Sequence, residues 1–144
     1  LKGLCEEAAS RLAPEAERRG VSIKVEGGEC AMEGSPSMLG ELVYNLLDNA
    51  VKYNRENGSV VALLEENADG SRSLTVSDTG VGIDPADQEH VFERFFRGDR
   101  SRSSEGGTGL GLSIVKHAAL AHGAKVSLSS KVGKGTSIRV DFPA

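Results

Sequence analysis

A polar stripe along one predicted helix carries the residues best suited to bind a phosphate group and its metal ion. At about 100° per residue, residues 36–53 place their apolar side chains on one side and, on the other, Glu41, Asn45, Asp48, Asn49 and Lys52. Asparagine is a poor helix former, so two of them weaken the interpretation of a merely solvated surface. A carboxamide oxygen can bind a hard cation and its NH₂ group can donate to phosphate, while Lys52 can neutralise phosphate charge. Taken alone, this helix is compatible both with a phosphate site and with an ordinary solvated surface.

A glycine-broken loop, Asp78-Thr79-Gly80-Val81-Gly82, follows a predicted strand directly. A carboxylate at a strand end can accept hydrogen bonds from an exocyclic amine such as that of adenine. Gly80 and Gly82 would let the backbone approach a flat ring without a Cβ in the way. Asp-x-Gly turns are common, however, and taken alone this loop is better explained as an ordinary turn.

The sharpest pattern is Gly106-Gly107-Thr108-Gly109-Leu110-Gly111-Leu112, which opens directly into a predicted helix. The first amides of a helix lack partners within it, and that end carries positive partial charge, so it suits phosphate. The alternative is a flexible linker. The glycine spacing differs from a dinucleotide fingerprint, and no Gly-Lys-Ser/Thr follows as in a Walker loop. Nearby arginines could close over a polyphosphate, although a solvated loop explains them better: Arg97, Arg100 and Arg102.

The elements that must position these residues alternate between strand and helix. Helical patterns cover residues 4–19, 36–53, 85–91 and 110–121, with Ser35 as a predicted N-cap and Pro14 predicted to bend or interrupt the first. Strand patterns cover residues 21–25, 29–32, 60–65, 73–77, 126–129 and 136–142. Residues 97–109 have the composition of a mobile loop. The order predicts an α+β, two-layer sandwich of one mixed β-sheet with helices on one face.

The composition is that of one ordinary domain. The chain has 144 residues, of which 38% are hydrophobic, so we expect a single domain over residues 1–144. A formal net charge of -4 argues against a general nucleic-acid-binding protein. No apolar run approaches the roughly 20 residues that cross a bilayer, so we expect no membrane contact in this segment. Cys5 and Cys30 have no second ligand at metal-binding spacing and indicate reduced thiols, hence a cytoplasmic location.

Four of these elements, in this order, resemble the motifs of the GHKL superfamily, and specifically of histidine kinase catalytic domains. Glu41-Leu-Val-Tyr-Asn45-Leu-Leu-Asp-Asn49-Ala-Val-Lys52-Tyr53 is similar to the N box, and Asp78–Gly82 to the first glycine box. Phe92-Glu-Arg-Phe95-Phe96 resembles the F box, and Gly107–Leu112 resembles the second glycine box. Gly133-Lys-Gly135-Thr136 is similar to a short glycine element near the domain's end. The likeness covers residues 4–142 and implies the Bergerat ATP-binding sandwich.

The resemblance implies Mg²⁺ and ATP as ligands and assigns roles to individual residues. Asn45 would bind Mg²⁺ and join it to the triphosphate, while Asp78 would bind the adenine amino group. Lys52 would act on the phosphates, with Asn49 and Tyr53 beside the nucleotide, and Arg97 is a candidate for the γ-phosphate. The remaining nucleotide-binding positions implied are Gly80, Gly82, Gly107, Thr108, Gly109, Leu110, Gly111 and Thr136. The glycines at 107, 109 and 111 would form the hinge of a lid.

The resemblance also implies an activity and its partners. Family kinases pass the γ-phosphoryl group to a histidine on a separate dimerisation domain, and from there to a response regulator aspartate. No histidine here, neither His90, His117 nor His122, is followed by the family's phosphoacceptor pattern. Because the chain also begins with Leu1 rather than Met, we expect a piece of a longer protein, the cytoplasmic domain of a membrane-anchored sensor kinase.

Three alternatives to a histidine kinase remain open. One is a GHKL ATPase of the gyrase, chaperone or mismatch-repair kind, in which the glutamate four residues before the N-box asparagine activates water; Glu41 stands there. The F-box phenylalanines and the short chain argue against it. Another is an anti-sigma-factor serine kinase, which usually lacks the F box. A third is a degenerate binding module, against which the intact motifs argue.

Overall fold

The computed structural model describes residues 1–28, 34–88, 91–92 and 111–143. In order, the elements are α1 (Lys2–Arg19), β1 (Ser22–Gly27), α2 (Pro36–Lys52), β2 (Ser59–Glu66), β3 (Arg72–Asp78), α3 (Pro85–Gln88), α4 (Gly111–Ala121), β4 (Lys125–Lys131) and β5 (Gly135–Phe142). The predicted strand at residues 29–32 and the predicted mobile loop at residues 97–109 lie outside the described residues. The predicted short helix is observed over Pro85–Gln88, and residues 89–90 lie outside the described residues.

The strands form one mixed sheet in the order β1-β2-β3-β5-β4. β1 runs parallel to β2, because α2 connects them as a crossover, and the other neighbouring pairs are antiparallel. The β2–β3 and β4–β5 hairpins occur as predicted. In their turns Gly70 (φ 86°) and Gly133 (φ 81°) take the left-handed conformation that glycine adopts readily. The predicted α+β class with a mixed sheet is confirmed.

The long helices cover one face of the sheet. α1 packs on β1, α2 on β2 and β3, and α4 on β4, with α2 in the middle against both other helices. Along β2, the buried residues Val60, Ala62 and Leu64 alternate with less buried neighbours, so one side of the strand faces the helices. Together these residues form one hydrophobic core cluster. In the described part of the chain, no helix is long and apolar enough to cross a membrane.

Pro14 does not interrupt α1, although a bend or an interruption was predicted there. The helix runs unbroken from Lys2 to Arg19 with Pro14 inside it. A proline in a helix interior costs about 3 kcal/mol. Residues on both sides of the proline are buried along one stripe, namely Cys5, Ala8, Leu12 and Ala16. Burying Leu12 alone contributes about 2 kcal/mol, so burial of the whole stripe offsets the cost of the proline.

α2 begins at its predicted cap, and a glycine follows the end of α4. The Ser35 side chain accepts a hydrogen bond from the N–H of Met38 at 3.2 Å, and Pro36 occupies the first turn, where no hydrogen-bond donor is needed. α4 ends before Gly123, which has a φ of 68°. Both helices are therefore delimited by local chemistry that is readable from the sequence.

Candidate functional site

Asp78 is the last residue of β3, and backbone amides from two segments orient its carboxylate. Its Oδ1 accepts hydrogen bonds from the N–H of Gly80 at 2.9 Å and from the N–H of Thr136 at 3.2 Å. Thr136 is also the partner of Asp78 in the β3–β5 ladder, and its Oγ1 lies 2.7 Å from Oγ of Ser130. The structure thus brings together three residues that the sequence predicted at a nucleotide site, and the protein itself orients the carboxylate.

The loop after β3 packs so closely on its neighbours that two positions require glycine. A Cβ on Gly80 would lie 2.3 Å from the carbonyl oxygen of Tyr53, and a Cβ on Gly82 would lie 2.3 Å from that of Lys131. Gly82 also has a φ of 76°, which glycine adopts readily. The pattern predicts an opening for a flat ring at these glycines, whereas the structure accounts for both through contacts within the protein.

Asn54, just beyond α2, makes hydrogen bonds whose role the sequence did not reveal. Its Nδ2 donates to the carbonyl of Ser59 at 2.9 Å. Its Oδ1 accepts from the N–H of Arg55 at 2.9 Å and from the hydroxyl of Thr79 at 3.2 Å. The side chain therefore ties the end of α2 to β2 and to the loop after β3. The polar cluster at residues 54–58 predicted only the end of a helix.

Arg55 is a second residue that sequence reasoning missed. Its Nη2 donates to the carbonyl of Gly80 at 3.0 Å and to the carbonyl of Gly133 at 2.9 Å. The N–H of Gly133 in turn donates to the carbonyl of Val81 at 2.9 Å. One guanidinium thus joins the loop after β3 to the β4–β5 turn. Both partners are distant in sequence, so no local pattern signals this contact.

Asn45 lies where α2 meets the start of α4. Its Nδ2 donates to the carbonyl of Glu41, one turn earlier, at 2.7 Å. Because the Glu41 carbonyl oxygen can only accept a hydrogen bond, the side-chain atom that faces it must be the amide nitrogen of Asn45. The other terminal atom of the side chain is therefore Oδ1. A Cβ on Gly111 would lie 3.4 Å from that Oδ1. The candidate metal ligand and the first residue of the helix after the glycine-rich stretch are therefore neighbours.

Lys52 is paired with a carboxylate on its own helix. Its Nζ lies 3.1 Å from Oδ2 of Asp48, one turn earlier, and the lysine side chain is 31% exposed. The sequence predicted a cation acting on phosphate, and the structure shows that this cation already shares its charge with Asp48. Asn49 and Tyr53 are half-buried on the last turn of the helix and just after it.

The remaining predicted residues divide into two groups. Phe92, the first residue of the F-box pattern, packs against the hydrophobic core. Several other predicted positions lie outside the described residues: Phe95, Phe96, Arg97, Gly107, Thr108, Gly109 and Leu110.

The donor set suits a metal ion that arrives with a phosphate ligand. Among residues 1–28, 34–88, 91–92 and 111–143, no group of three or more His, Cys, Asp or Glu side chains could hold a metal ion. Mg²⁺ is usually bound through one or two protein oxygens together with substrate phosphates and waters. The Oδ1 of Asn45 is such an oxygen, beside a helix start that suits phosphate. The residues present therefore fit a magnesium–nucleotide ligand and do not fit a metal held by protein alone.

Comparison with protein families gives a match over residues 34–144 to the model of histidine kinase-, DNA gyrase B- and HSP90-like ATPases. The chain is 38% identical over 140 residues to the sensor-like histidine kinase SenX3 of Mycobacterium tuberculosis, covering 96% of this chain and 34% of SenX3. It is 42% identical over 112 residues to the phosphate regulon sensor protein PhoR of Pseudomonas aeruginosa, covering 77% of this chain and 25% of PhoR. The chain thus spans about a quarter to a third of the length of these relatives.

Solved structures with the same fold include the mycobacterial sensor histidine kinase MprB, with a TM-score of 0.85 and 32% identity. That match covers 98% of this chain and 92% of the MprB chain. Full-length ShkA in complex with AMPPNP matches with a TM-score of 0.84 and 28% identity over 99% of this chain and 29% of ShkA. The two-layer sandwich with helices on one face is therefore the fold of these catalytic domains.

Proposed function

This chain belongs to the family of histidine kinase-, DNA gyrase B- and HSP90-like ATPases, as the ATP-binding catalytic domain of a sensor histidine kinase, and from that membership we propose its reaction. It binds Mg-ATP and supplies the γ-phosphoryl group to a histidine on the phosphoacceptor domain of a longer kinase. That domain passes the group on to a response regulator. Relatives named as sensor histidine kinases support this proposal, as does the arrangement of the site.

The adenine end of the site is built on Asp78. Its carboxylate accepts a hydrogen bond from the exocyclic amino group of adenine, and Gly80 and Thr136 hold that carboxylate in place through their amides. Because hydrogen bonds within the protein orient this side chain, little further ordering of it is needed on binding. Arg55 supports the same loop by donating to the carbonyl of Gly80.

The phosphate end lies between α2 and the start of α4. Asn45 would contribute Oδ1 to a Mg²⁺ ion, which would supply positive charge beside the triphosphate. Gly111 begins the helix whose first amides face the phosphates. Lys52 adds positive charge near the phosphates when its ammonium group interacts with the nucleotide as well as with Asp48. Asn49, Tyr53 and Arg97, with Gly107 to Leu110, complete the proposed contacts.

Phosphoryl transfer then proceeds by attack of an imidazole nitrogen of the acceptor on the γ-phosphorus. A nitrogen–phosphorus bond forms, the bond from the γ-phosphorus to the bridging β–γ oxygen breaks, and ADP leaves. The imidazole nitrogen is itself the nucleophile, so no activated water is needed, and Glu41 has no required role. The catalytic work is positioning and charge stabilisation.

The observation that carries this proposal is the contact between Asn45 and the first residue of α4, because it joins a metal-binding oxygen to a phosphate-binding helix start. Isothermal calorimetry with ADP and a non-hydrolysable ATP analogue, with and without Mg²⁺, tests it. We expect Asp78→Asn to lose adenine-nucleotide binding, and Asn45→Ala to bind without the dependence on Mg²⁺ seen in the wild type. A folded wild-type chain that binds neither nucleotide would contradict the proposal.

A further inference from the structure

The imidazole of His122 joins the end of α4 to the start of α2. Its Nε2 lies 3.0 Å from the backbone nitrogen of Ser35, whose N–H donates to it. Its Nδ1 lies 2.8 Å from the carbonyl oxygen of Ala118, one turn earlier on α4. These bonds lie at the opposite end of α2 from Asp78 and its loop, and the proposed function does not use them.

The two partners specify which ring nitrogen carries the proton. The Ala118 carbonyl can only accept, so Nδ1 must be protonated, and the Ser35 N–H can only donate, so Nε2 must be bare. A neutral ring with its hydrogen on Nδ1 satisfies both bonds at once. A ring with its hydrogen on Nε2 satisfies neither. The two hydrogen bonds therefore require one tautomer of the ring, and a ring of the same shape in the other tautomer would not form them.

Residues at the start of α2 are arranged to receive this ring. A Cβ on Gly34 would lie 2.6 Å from the ring carbon Cδ2 and 2.7 Å from Nε2, so a larger residue there would displace the imidazole. Each polar group of Ser35 is already engaged: its hydroxyl accepts from Met38, its carbonyl accepts from Leu39 at 2.9 Å, and its N–H donates to the ring. The histidine satisfies the amide of the N-cap residue, which the helix itself cannot satisfy.

The histidine contact and the Asn45 contact lie at opposite ends of one helix pair. From Ser35 to Asn45 is about 15 Å along α2, and from Gly111 to His122 is about 16 Å along α4. Because Ser35 meets His122 and Asn45 meets Gly111, the helices run antiparallel, and the two stretches between these contacts are matched in length. Along the interface itself the buried residues of α4 are apolar, namely Leu112, Val115, Ala118 and Ala119. Apolar packing tolerates sliding more readily than a hydrogen bond of defined direction does.

We propose that His122 is a positioning residue that sets the place of α4 along α2, and thereby the place of Gly111 beside Asn45. The proposal rests on the proposed function, because Asn45 and the start of α4 form the phosphate end of that site. Loss of the bond to Ser35 lets the phosphate-binding end of α4 shift relative to the metal-binding oxygen. Nucleotide affinity then falls, although the site itself is unchanged in sequence.

A matched pair of substitutions tests the direction of the bond. His122→Gln keeps an acceptor near the position of Nε2, and His122→Asn keeps only a group near the position of Nδ1. Each variant loses one hydrogen bond, so their melting temperatures should be similar. We expect ADP affinity in the presence of Mg²⁺ to fall about 3- to 10-fold in His122→Asn and to stay within about 2-fold of wild type in His122→Gln. Equal affinities in the two variants, whether both retained or both lost, would overturn the proposal.

Nitrogen NMR of the wild-type chain supplies a second measurement that needs no variant to fold. We expect the neutral ring of His122 to show a protonated Nδ1 and a bare Nε2. The opposite tautomer would overturn the proposal. If the wild type fails to bind ADP but shows the expected tautomer, and the Gly111 amide signal shifts in His122→Asn and not in His122→Gln, the proposed function fails while the positioning role of His122 stands.

Discussion

Replacing Arg55 by methionine should loosen the loop that carries Asp78 without touching a proposed ligand contact. Methionine keeps much of the apolar stem but removes the guanidinium, whose Nη2 donates to the carbonyls of Gly80 and Gly133. These bonds join the loop after β3 to the β4–β5 turn. Without them, the loop keeps the bond from the N–H of Val81 to the carbonyl of Tyr53, the bond from the N–H of Gly133 to the carbonyl of Val81, and the bond from the Thr79 hydroxyl to Asn54.

The expected magnitude follows from the surroundings of the two bonds. A hydrogen bond from a charged donor contributes about 1.5–3 kcal/mol where water is excluded. Arg55 is an exposed residue, and only its bond to Gly80 is partly buried. We therefore expect the free energy of unfolding to fall by about 1–2 kcal/mol for both bonds together. For a domain of this size that corresponds to a fall in Tm of roughly 3–8 °C.

Chemical denaturation and calorimetry with ADP measure the two consequences. Part of the lost stabilisation should also weaken nucleotide binding, because Asp78 must be in place to meet adenine. We expect the Kd for ADP to rise about 3- to 10-fold. Lys134→Met is the matched control: Lys134 is an exposed cation in the same turn, and its side chain has no partner within the described residues. Equal stability and equal ADP affinity in Arg55→Met and Lys134→Met would refute this role of the Arg55 guanidinium.

Three further predictions concern Gly80, Asp48 and Glu15. Gly80→Ala places a Cβ 2.3 Å from a backbone carbonyl oxygen and should lower the free energy of unfolding by about 2 kcal/mol or more. Gly3 lies in α1, and a Cβ there would meet nothing within 4 Å, so Gly3→Ala should raise the free energy of unfolding by about 0.5–1 kcal/mol. Urea denaturation of both variants checks this contrast. Asp48→Asn frees the lysine that it pairs with and should tighten binding of an ATP analogue about 2- to 5-fold by calorimetry, and an unchanged Kd would argue against that lysine acting on phosphate. The hydrogen bond from Arg19 lowers the pKa of Glu15 from its ordinary value of 4.5, so its contribution to stability is complete above about pH 5 and is lost as the pH falls through the lowered pKa. Stability of Glu15→Gln should therefore lie below wild type by less than about 1 kcal/mol at neutral pH and converge with it in acid, and a gap independent of pH would count against this account.

Much of the fold and part of the site were predictable because their causes are local. The apolar stripe of α2, its Ser35 cap and the glycine after α4 each depend on residues within a few positions of one another. The hairpins follow from alternation interrupted by glycine turns. Pro14 shows the limit of such reasoning, since burial of residues on both sides of it outweighs the local preference.

Contacts between distant segments were not predictable from the chain. Arg55 lies 25 residues from Gly80 and 78 from Gly133, and nothing near it in the sequence marks either carbonyl as its partner. The bond from Ser35 to His122 spans 87 residues. Such contacts depend on the packing of whole elements, which residue periodicity does not encode.

By itself, the sequence determined which residue types are available for nucleotide chemistry and the order in which helices and strands carry them, because propensity, capping and periodicity act over a few residues. Only the tertiary structure decided that Thr136 would orient Asp78 and that Gly111 would lie beside Asn45. The physical reason is that these arrangements arise when separate elements pack into one core, and the close approach of their backbones then selects the partners of each polar group.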